Sequence, residues 1–230
     1  YCIMATRIYG RQITKADKNE RFVGKVLTLG LGFQMGAAKL QITLAKGALG
    51  GPPVFITLEE AKRWVKIYRE ANRKIEAGWT VCNKIIQNMH DGRPGQHGPI
   101  TWEKDCVWLP NGLRLHYPDL KLTVDDNGWD QWSYASTLKG KPIRKKIYGG
   151  LLCENIVQAL ARIIVMYQLL DLSRTYRMVL TTHDEGVFCV KKREGDVAFQ
   201  RMMKRMTTPL DWCHDMPLSA EGGYAHNYSK

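Results

Sequence analysis

The chain has no Cys-x-x-Cys pair and no cysteine–histidine cluster at zinc-ligand spacing, which excludes the common structural zinc modules. Its six cysteines, at positions 2, 82, 106, 153, 189 and 213, are scattered. They read as reduced, mostly buried thiols rather than a disulfide framework. No apolar run approaches the roughly 20 residues that cross a bilayer, so no membrane is expected as a partner. A signal peptide is not evident either, and the expected compartment is cytoplasmic. Internal repeats and low-complexity stretches are missing, which excludes solenoids and disordered arrays. Acidic residues are in short supply: 22 Asp and Glu stand against 34 Lys and Arg, a net charge of +12. That excess favours a polyanionic partner, of which nucleic acid is the commonest, against a plain solubility effect. The first residue is Tyr1 rather than Met, so a processed product or a piece of a longer polypeptide is expected.

What is present suffices for a real core. The 230 residues are 44% hydrophobic and 24% charged, in the range of one large or two small globular domains. Ten tyrosines and seven tryptophans add flat surfaces suited to bases as well as to cores. Residues 1–50 read as helical and glycine-punctuated, and Gly50-Gly51-Pro52-Pro53 breaks the chain. Thr57 and Glu60 form a capping-box signature. It opens one long amphipathic pattern to about Met89, with Ala61, Trp64, Val65, Tyr68, Ala71, Asn72, Ile75 and Trp79 at helical spacing. A loop follows over Asp91–Gly98. Residues 100–148 predict short strands, with turns at Asn111-Gly112 and at Asp125-Asp126-Asn127-Gly128. Leu151–Leu172 predicts a helix, apolar nearly all round and therefore buried. A hairpin, a short helix near 196–206 and a polar tail complete the chain.

Three constellations carry chemistry. His183-Asp184-Glu185 lies between Met178-Val179-Leu180 and Val187-Phe188-Cys189-Val190, two short runs that predict strands joined by a tight turn. Adjacent carboxylates repel, and a hard divalent cation removes the repulsion; the bland reading is a solvated acidic turn. Arg21, Lys25, Leu29 and Phe33 recur every four residues on a helix expected to start at Asp17-Lys18-Asn19-Glu20. Two cations, an apolar residue and a ring in that order suit a nucleoside triphosphate, although a plain amphipathic helix has the same spacing. Gly24, Gly30, Gly32 and Gly36 fall in this stretch and point to close backbone approach or mobility. Lys139, Lys141, Arg144, Lys145 and Lys146 follow Trp129, Trp132 and Tyr134, either a phosphate-contacting strip or a solvated loop. Arg63, Lys66, Arg69, Arg73 and Lys74 read equally as the wet face of the long helix.

Arg21-Phe-Val-Gly-Lys25-Val-Leu-Thr-Leu29-Gly-Leu-Gly-Phe33 resembles motif B of the family A (DNA polymerase I-like) DNA polymerases, R-x3-K-x3-[FYL]-G-x2-[YF]. His183-Asp184-Glu185 resembles their motif C. Leu109-Pro-Asn-Gly112 with Tyr117-Pro118, and Ile147-Tyr-Gly-Gly150 through Glu154-Asn155-Ile-Val-Gln158-Ala-Leu-Ala-Arg162, resemble segments of the phage-type branch. The likeness is collinear and spans essentially the whole chain.

The resemblance implies an α+β fold, part of a right-hand polymerase. Residues 1–100 would form helical fingers and 101–230 much of the palm, whose antiparallel sheet would carry motif C. It also implies template-directed DNA synthesis: transfer of dNMP from a dNTP to a primer 3′-hydroxyl by a two-metal mechanism with Mg2+. Carried over by position, Asp184 is the metal ligand, with Glu185 and His183 in supporting roles near the primer terminus. Arg21 and Lys25 would hold the triphosphate, Leu29 would meet sugar and base, and Phe33 would close the pocket. Gln158 would read the primer-template minor groove, with Lys139, Lys141, Arg144, Lys145 and Lys146 on DNA phosphates. Leu29 and Glu154 depart from the aromatic and the asparagine of many bacterial members. No D-x-S-x-x-E pattern of motif A is present, and Asp125-Asp126 fits a loop. The implied partners are therefore primer-template DNA, dNTP and an N-terminal remainder carrying motif A, in the host cytoplasm if the protein is viral. A catalytically inactive DNA-binding module and one subunit of a split polymerase are the alternatives.

Overall fold

Helices dominate the first ninety residues of the computed structural model, which describes residues 1–47, 50–124 and 128–228. They are α1 (Cys2–Tyr9), α2 (Lys18–Leu31), α3 (Ala37–Ala45), α4 (Leu58–Ala71) and α5 (Arg73–Asp91). The capping box forms in full: Glu60 N donates to Thr57 Oγ1 at 3.2 Å and Thr57 N to Glu60 Oε2 at 2.8 Å. The long amphipathic pattern is nevertheless two helices. At Asn72 the backbone leaves helical geometry (φ −129°, ψ 45°), and Asn72 Nδ2 donates to Tyr68 O at 2.8 Å. Both helices keep buried residues in step, Trp64 and Tyr68 before the break and Trp79, Cys82 and Ile86 after it, so periodicity runs through the joint. Ala71 and Ile75, beside the break, are exposed.

Apolar faces of α1 to α4 close one core, with Ile8, Val23, Leu27, Leu31, Leu40, Leu44 and Trp64 inside it. Gly24 belongs to that packing, since a Cβ there would lie 2.4 Å from Tyr1 O. The close approach expected at this glycine is therefore made by α1. Asp17 precedes α2 but does not cap it. Its carboxylate accepts from Thr14 N (2.8 Å), Thr14 Oγ1 (2.9 Å) and Arg11 Nη1 (3.0 Å). Those bonds, the Thr14 backbone first, hold the Asp17 pKa down to about 2. Arg11 also pairs with Glu20.

The strands form separate sheets. β1 (Gly95–His97), β2 (Ile100–Glu103), β3 (Cys106–Trp108) and β4 (Arg114–His116) pair in chain order. The Asn111-Gly112 turn joins β3 to β4, with Leu109 N on Leu113 O at 2.8 Å and Gly112 at φ 79°. β5 (Lys121–Val124), β6 (Asp130–Leu138) and β7 (Lys141–Ile147) make an antiparallel sheet. Asp125, Asp126 and Asn127, where a turn is expected, lie outside the described residues. After α6 (Gly149–Ser173) come β8 (Arg177–Thr182) and β9 (Glu185–Cys189), then α7 (Gly195–Met206). β8 and β9 stand as their own two-stranded sheet, with no third strand on either edge among the described residues. The antiparallel sheet expected to carry motif C is this two-stranded one.

Helix α6 departs from its expected burial. Val157, Tyr167 and Leu170 are 51%, 56% and 56% exposed. By length and composition it is also, among the described residues, the one helix apolar enough to cross a membrane, contrary to the reading from uninterrupted runs. The buried Gln168 ties it to protein instead, donating to Met206 O (3.2 Å) and Thr208 O (3.0 Å).

Two compact units result: residues 1–94, 102–106 and 116–155, and residues 95–101, 107–115 and 156–230. This geometric division runs differently from the functional boundary expected near residue 100, because the β5–β7 sheet clusters with the helices.

Candidate active site

The hairpin of β8 and β9 presents His183 and Asp184 at its tip, between the paired residues Thr182 and Glu185. Two departures from a plain hairpin shape it. Val179 is an extra residue between the pairs Met178–Phe188 and Leu180–Val187, a bulge that shifts the ladder. His183 adopts φ 53°, left-handed backbone that costs a residue with a Cβ on the order of 1–3 kcal/mol and concentrates at functional sites. Arg162 of α6 stabilises this turn, with Nη1 donating to His183 O at 2.9 Å. Gly186 lets the hairpin lie on the same helix, since a Cβ there would meet Leu169 Cδ2 at 2.3 Å. Tyr228 Oη donates to Glu185 Oε2 at 3.3 Å. Gln158 lies one turn before Arg162 on α6, and both are exposed. His183, Asp184, Glu185, Gln158 and Arg162 thus gather on one helix–hairpin pair. Arg162 had no role in the sequence reading. Its i+4 relation to Gln158 was the available signal.

In the other unit, α2 presents Arg21, Lys25 and Leu29 one turn apart, as the spacing predicts. Arg21 lies over the Tyr1 ring, 5.8 Å from its centroid. Lys25 is half-buried and Leu29 is 38% exposed. Phe33 is not on the helix. α2 ends at Leu31, Phe33 N turns back to Gly30 O at 3.3 Å, and Gln34 takes φ 66°. Two contacts moor this end: Trp79 Nε1 donates to Gly32 O at 3.0 Å, and Gly150 N to Gln34 Oε1 at 2.9 Å.

The basic strip is a strand rather than a loop. Lys139 and Gly140 form the β6–β7 turn (φ 50° and 76°), and Lys141, Arg144, Lys145 and Lys146 lie in β7. Alternation puts Arg144 and Lys146 on one face and Lys141 and Lys145 on the other. Arg144 is already engaged. It donates to Asp119 Oδ2 (2.8 Å), Asp119 O (2.7 Å), Ser133 O (2.9 Å) and Ser133 Oγ (3.0 Å). It pins the sheet, and the lysines remain exposed.

Asp184 and Glu185 offer hard oxygen donors of the kind magnesium takes, and that ion is commonly held by one or two carboxylates together with substrate phosphates. Among the described residues no group of three His, Cys, Asp or Glu side chains is gathered. The donors fit one ion shared with a phosphate and do not make a two-ion site.

No family model matches the chain. It is 34% identical over 216 residues to the DNA polymerase of Bacillus phage SP02, an alignment covering 90% of this chain and 32% of that protein. Its fold is similar to that of the POL domain of Pol1 from M. smegmatis in complex with DNA primer-template and dNTP. The TM-score is 0.61 at 18% identity, over 95% of this chain and 32% of that one. The chain therefore spans about a third of the length of each.

Proposed function

We propose that this chain, a relative of the phage-type branch of the DNA polymerase I-like family, supplies fingers (1–100) and much of the palm (101–230) of a DNA-directed DNA polymerase. The observation that carries the reading is the 34% identity to a DNA polymerase along 90% of the chain. The reaction is transfer of dNMP from a dNTP to a primer 3′-hydroxyl, and the partners are primer-template DNA, dNTP and a remainder carrying motif A. Arg21 and Lys25 bind the triphosphate by charge-assisted bonds, and Leu29 offers the base and sugar an apolar shelf. Phe33, moored beyond the helix end, bounds the pocket. Asp184 binds magnesium, with Arg162 positioning it through the His183 carbonyl. Magnesium supplies charge neutralisation at phosphate and hydroxyl oxygens. Gln158 reads the minor groove, and Lys139, Lys141, Lys145 and Lys146 hold phosphates, which makes affinity salt-dependent. The proposed compartment is the cytoplasm.

Arg21→Ala and Lys25→Ala test the triphosphate assignment in the intact protein. Each should weaken nucleotide use by roughly tenfold to more than a hundredfold, the equivalent of about 1.5–3 kcal/mol for a charge-assisted contact. Primer-template affinity should barely move. Unchanged nucleotide kinetics with weakened DNA binding would place α2 on the duplex instead. The inactive DNA-binding reading is favoured by one observation, the lack of a third carboxylate near Asp184 among the described residues. It describes the isolated 230 residues, which should bind DNA without extending a primer.

A further inference from the structure

Beyond α7 the chain doubles back along that helix and returns to the β8–β9 hairpin. Buried Gln168 of α6 fixes the point of return, donating to Met206 O (3.2 Å) and Thr208 O (3.0 Å). Cys213 is then buried in the short helical turn Asp211–Cys213. From there the contacts run up α7 in reverse. A Cβ on Gly222 would lie 3.4 Å from Phe199 Cε2 and 3.6 Å from Met203 Sδ. Tyr224 packs on Phe199 with ring centroids 6.0 Å apart, and its Oη donates to Asp196 Oδ1. A Cβ on Gly195 would lie 3.4 Å from the same tyrosine ring. The segment therefore lies antiparallel to α7. Four residues after Tyr224, a span of at most about 14 Å, Tyr228 Oη donates to Glu185 Oε2 at 3.3 Å.

We propose that Tyr228 is a positioning residue for the polymerase reaction, holding the Glu185 carboxylate in one place beside Asp184; the inference rests on the reading of this hairpin as the reaction site. Glu185 pairs with Thr182 at the rung next to the turn, so its backbone is fixed. Its side chain is only half-buried, and glutamate is among the side chains with most rotamer freedom to lose. A hydroxyl delivered by a segment already docked on α7 supplies the missing constraint. A donor on Oε2 also eases the repulsion between adjacent carboxylates, and it disfavours capture by Glu185 of the cation that Asp184 binds. The tip is then held from both sides of Asp184, by Arg162 on the His183 carbonyl and by Tyr228 on Glu185.

The test is single-turnover primer extension by the intact protein at varied dNTP, with Tm and primer-template affinity measured on the same samples. Tyr228→Phe keeps the ring and removes the donor. It should lower the maximal rate by roughly twofold to tenfold, the range of one hydrogen bond. The dNTP concentration at half-maximal rate, the DNA affinity and Tm should stay at parental values. In a Glu185→Ala background the same change should cost nothing further, because the two residues act as one unit. An unaltered rate in Tyr228→Phe would overturn the proposal, as would an equal fold-loss in both backgrounds. A rate loss matched by a lower Tm would reduce Tyr228 to an anchor of the segment and overturn it too. A parent protein that extends no primer would instead sink the polymerase reading, and this inference with it.

Discussion

Alanine at Gly149 and alanine at Gly78 are the same substitution on neighbouring helices and should have opposite signs. A Cβ at Gly149 would lie 2.1 Å from Trp79 O and 2.8 Å from Asn83 Cγ. The first obstacle is backbone, so no rotamer change relieves it, and α5 and α6 must part by more than an ångström. Overpacking of that kind costs about 1–3 kcal/mol. Losing the 2.6 Å bond from Gly149 N to Asn83 adds about 1 kcal/mol. Better helix propensity returns less than about 1 kcal/mol. A net loss of about 1–4 kcal/mol lowers Tm by roughly 2–16 °C for a chain of this size. At Gly78, inside α5, an added Cβ meets nothing within 4 Å, so alanine should stabilise by about 0.5–1 kcal/mol and raise Tm by roughly 1–4 °C. Scanning calorimetry of both variants under one buffer decides. A Gly149→Ala protein that melts at or above the parental temperature would refute the backbone crossing on which the mooring of α2 depends.

Arg162→Ala should lower the primer-extension rate by roughly twofold to tenfold, the range of one solvent-accessible hydrogen bond, while leaving the salt slope of DNA binding unchanged. A slope smaller by about one would instead make Arg162 a phosphate contact. Acid should destabilise the fold through Asp17. Its folded pKa of about 2 lies below its ordinary 3.8, so its contribution is complete above about pH 4 and is lost as pH falls through 2. Melting temperatures across that window should fall more steeply for the parent than for Asp17→Asn, and parallel curves would contradict the assignment.

How much of this was legible in sequence depends on whether the cause was local. The Thr57–Glu60 box and the Asn111-Gly112 turn were legible because each is closed by groups within a few residues. The hairpin around residue 184 was legible from two short apolar runs, and the Arg21–Lys25–Leu29 face from its four-residue spacing. The end of α2 was not, because Phe33 leaves the helix where Trp79 and Gly150, far away in sequence, bind Gly32 and Gln34. Asn72 hid its break by preserving hydrophobic phase. The bulge at Val179, the engagement of Arg144 by Asp119 and the hold of Arg162 on His183 are all long-range or conformational. No residue pattern announces them.

The central claim is that the strained turn at Asp184 carries the chemistry while dispersed cations carry the grip on DNA. Primer extension by the intact protein bearing Asp184→Ala, with primer-template affinity measured on the same sample, tests it most directly. Extension should be abolished and affinity essentially retained, because phosphate contacts through Lys and Arg do not involve this carboxylate. Extension near the parental rate would contradict the claim.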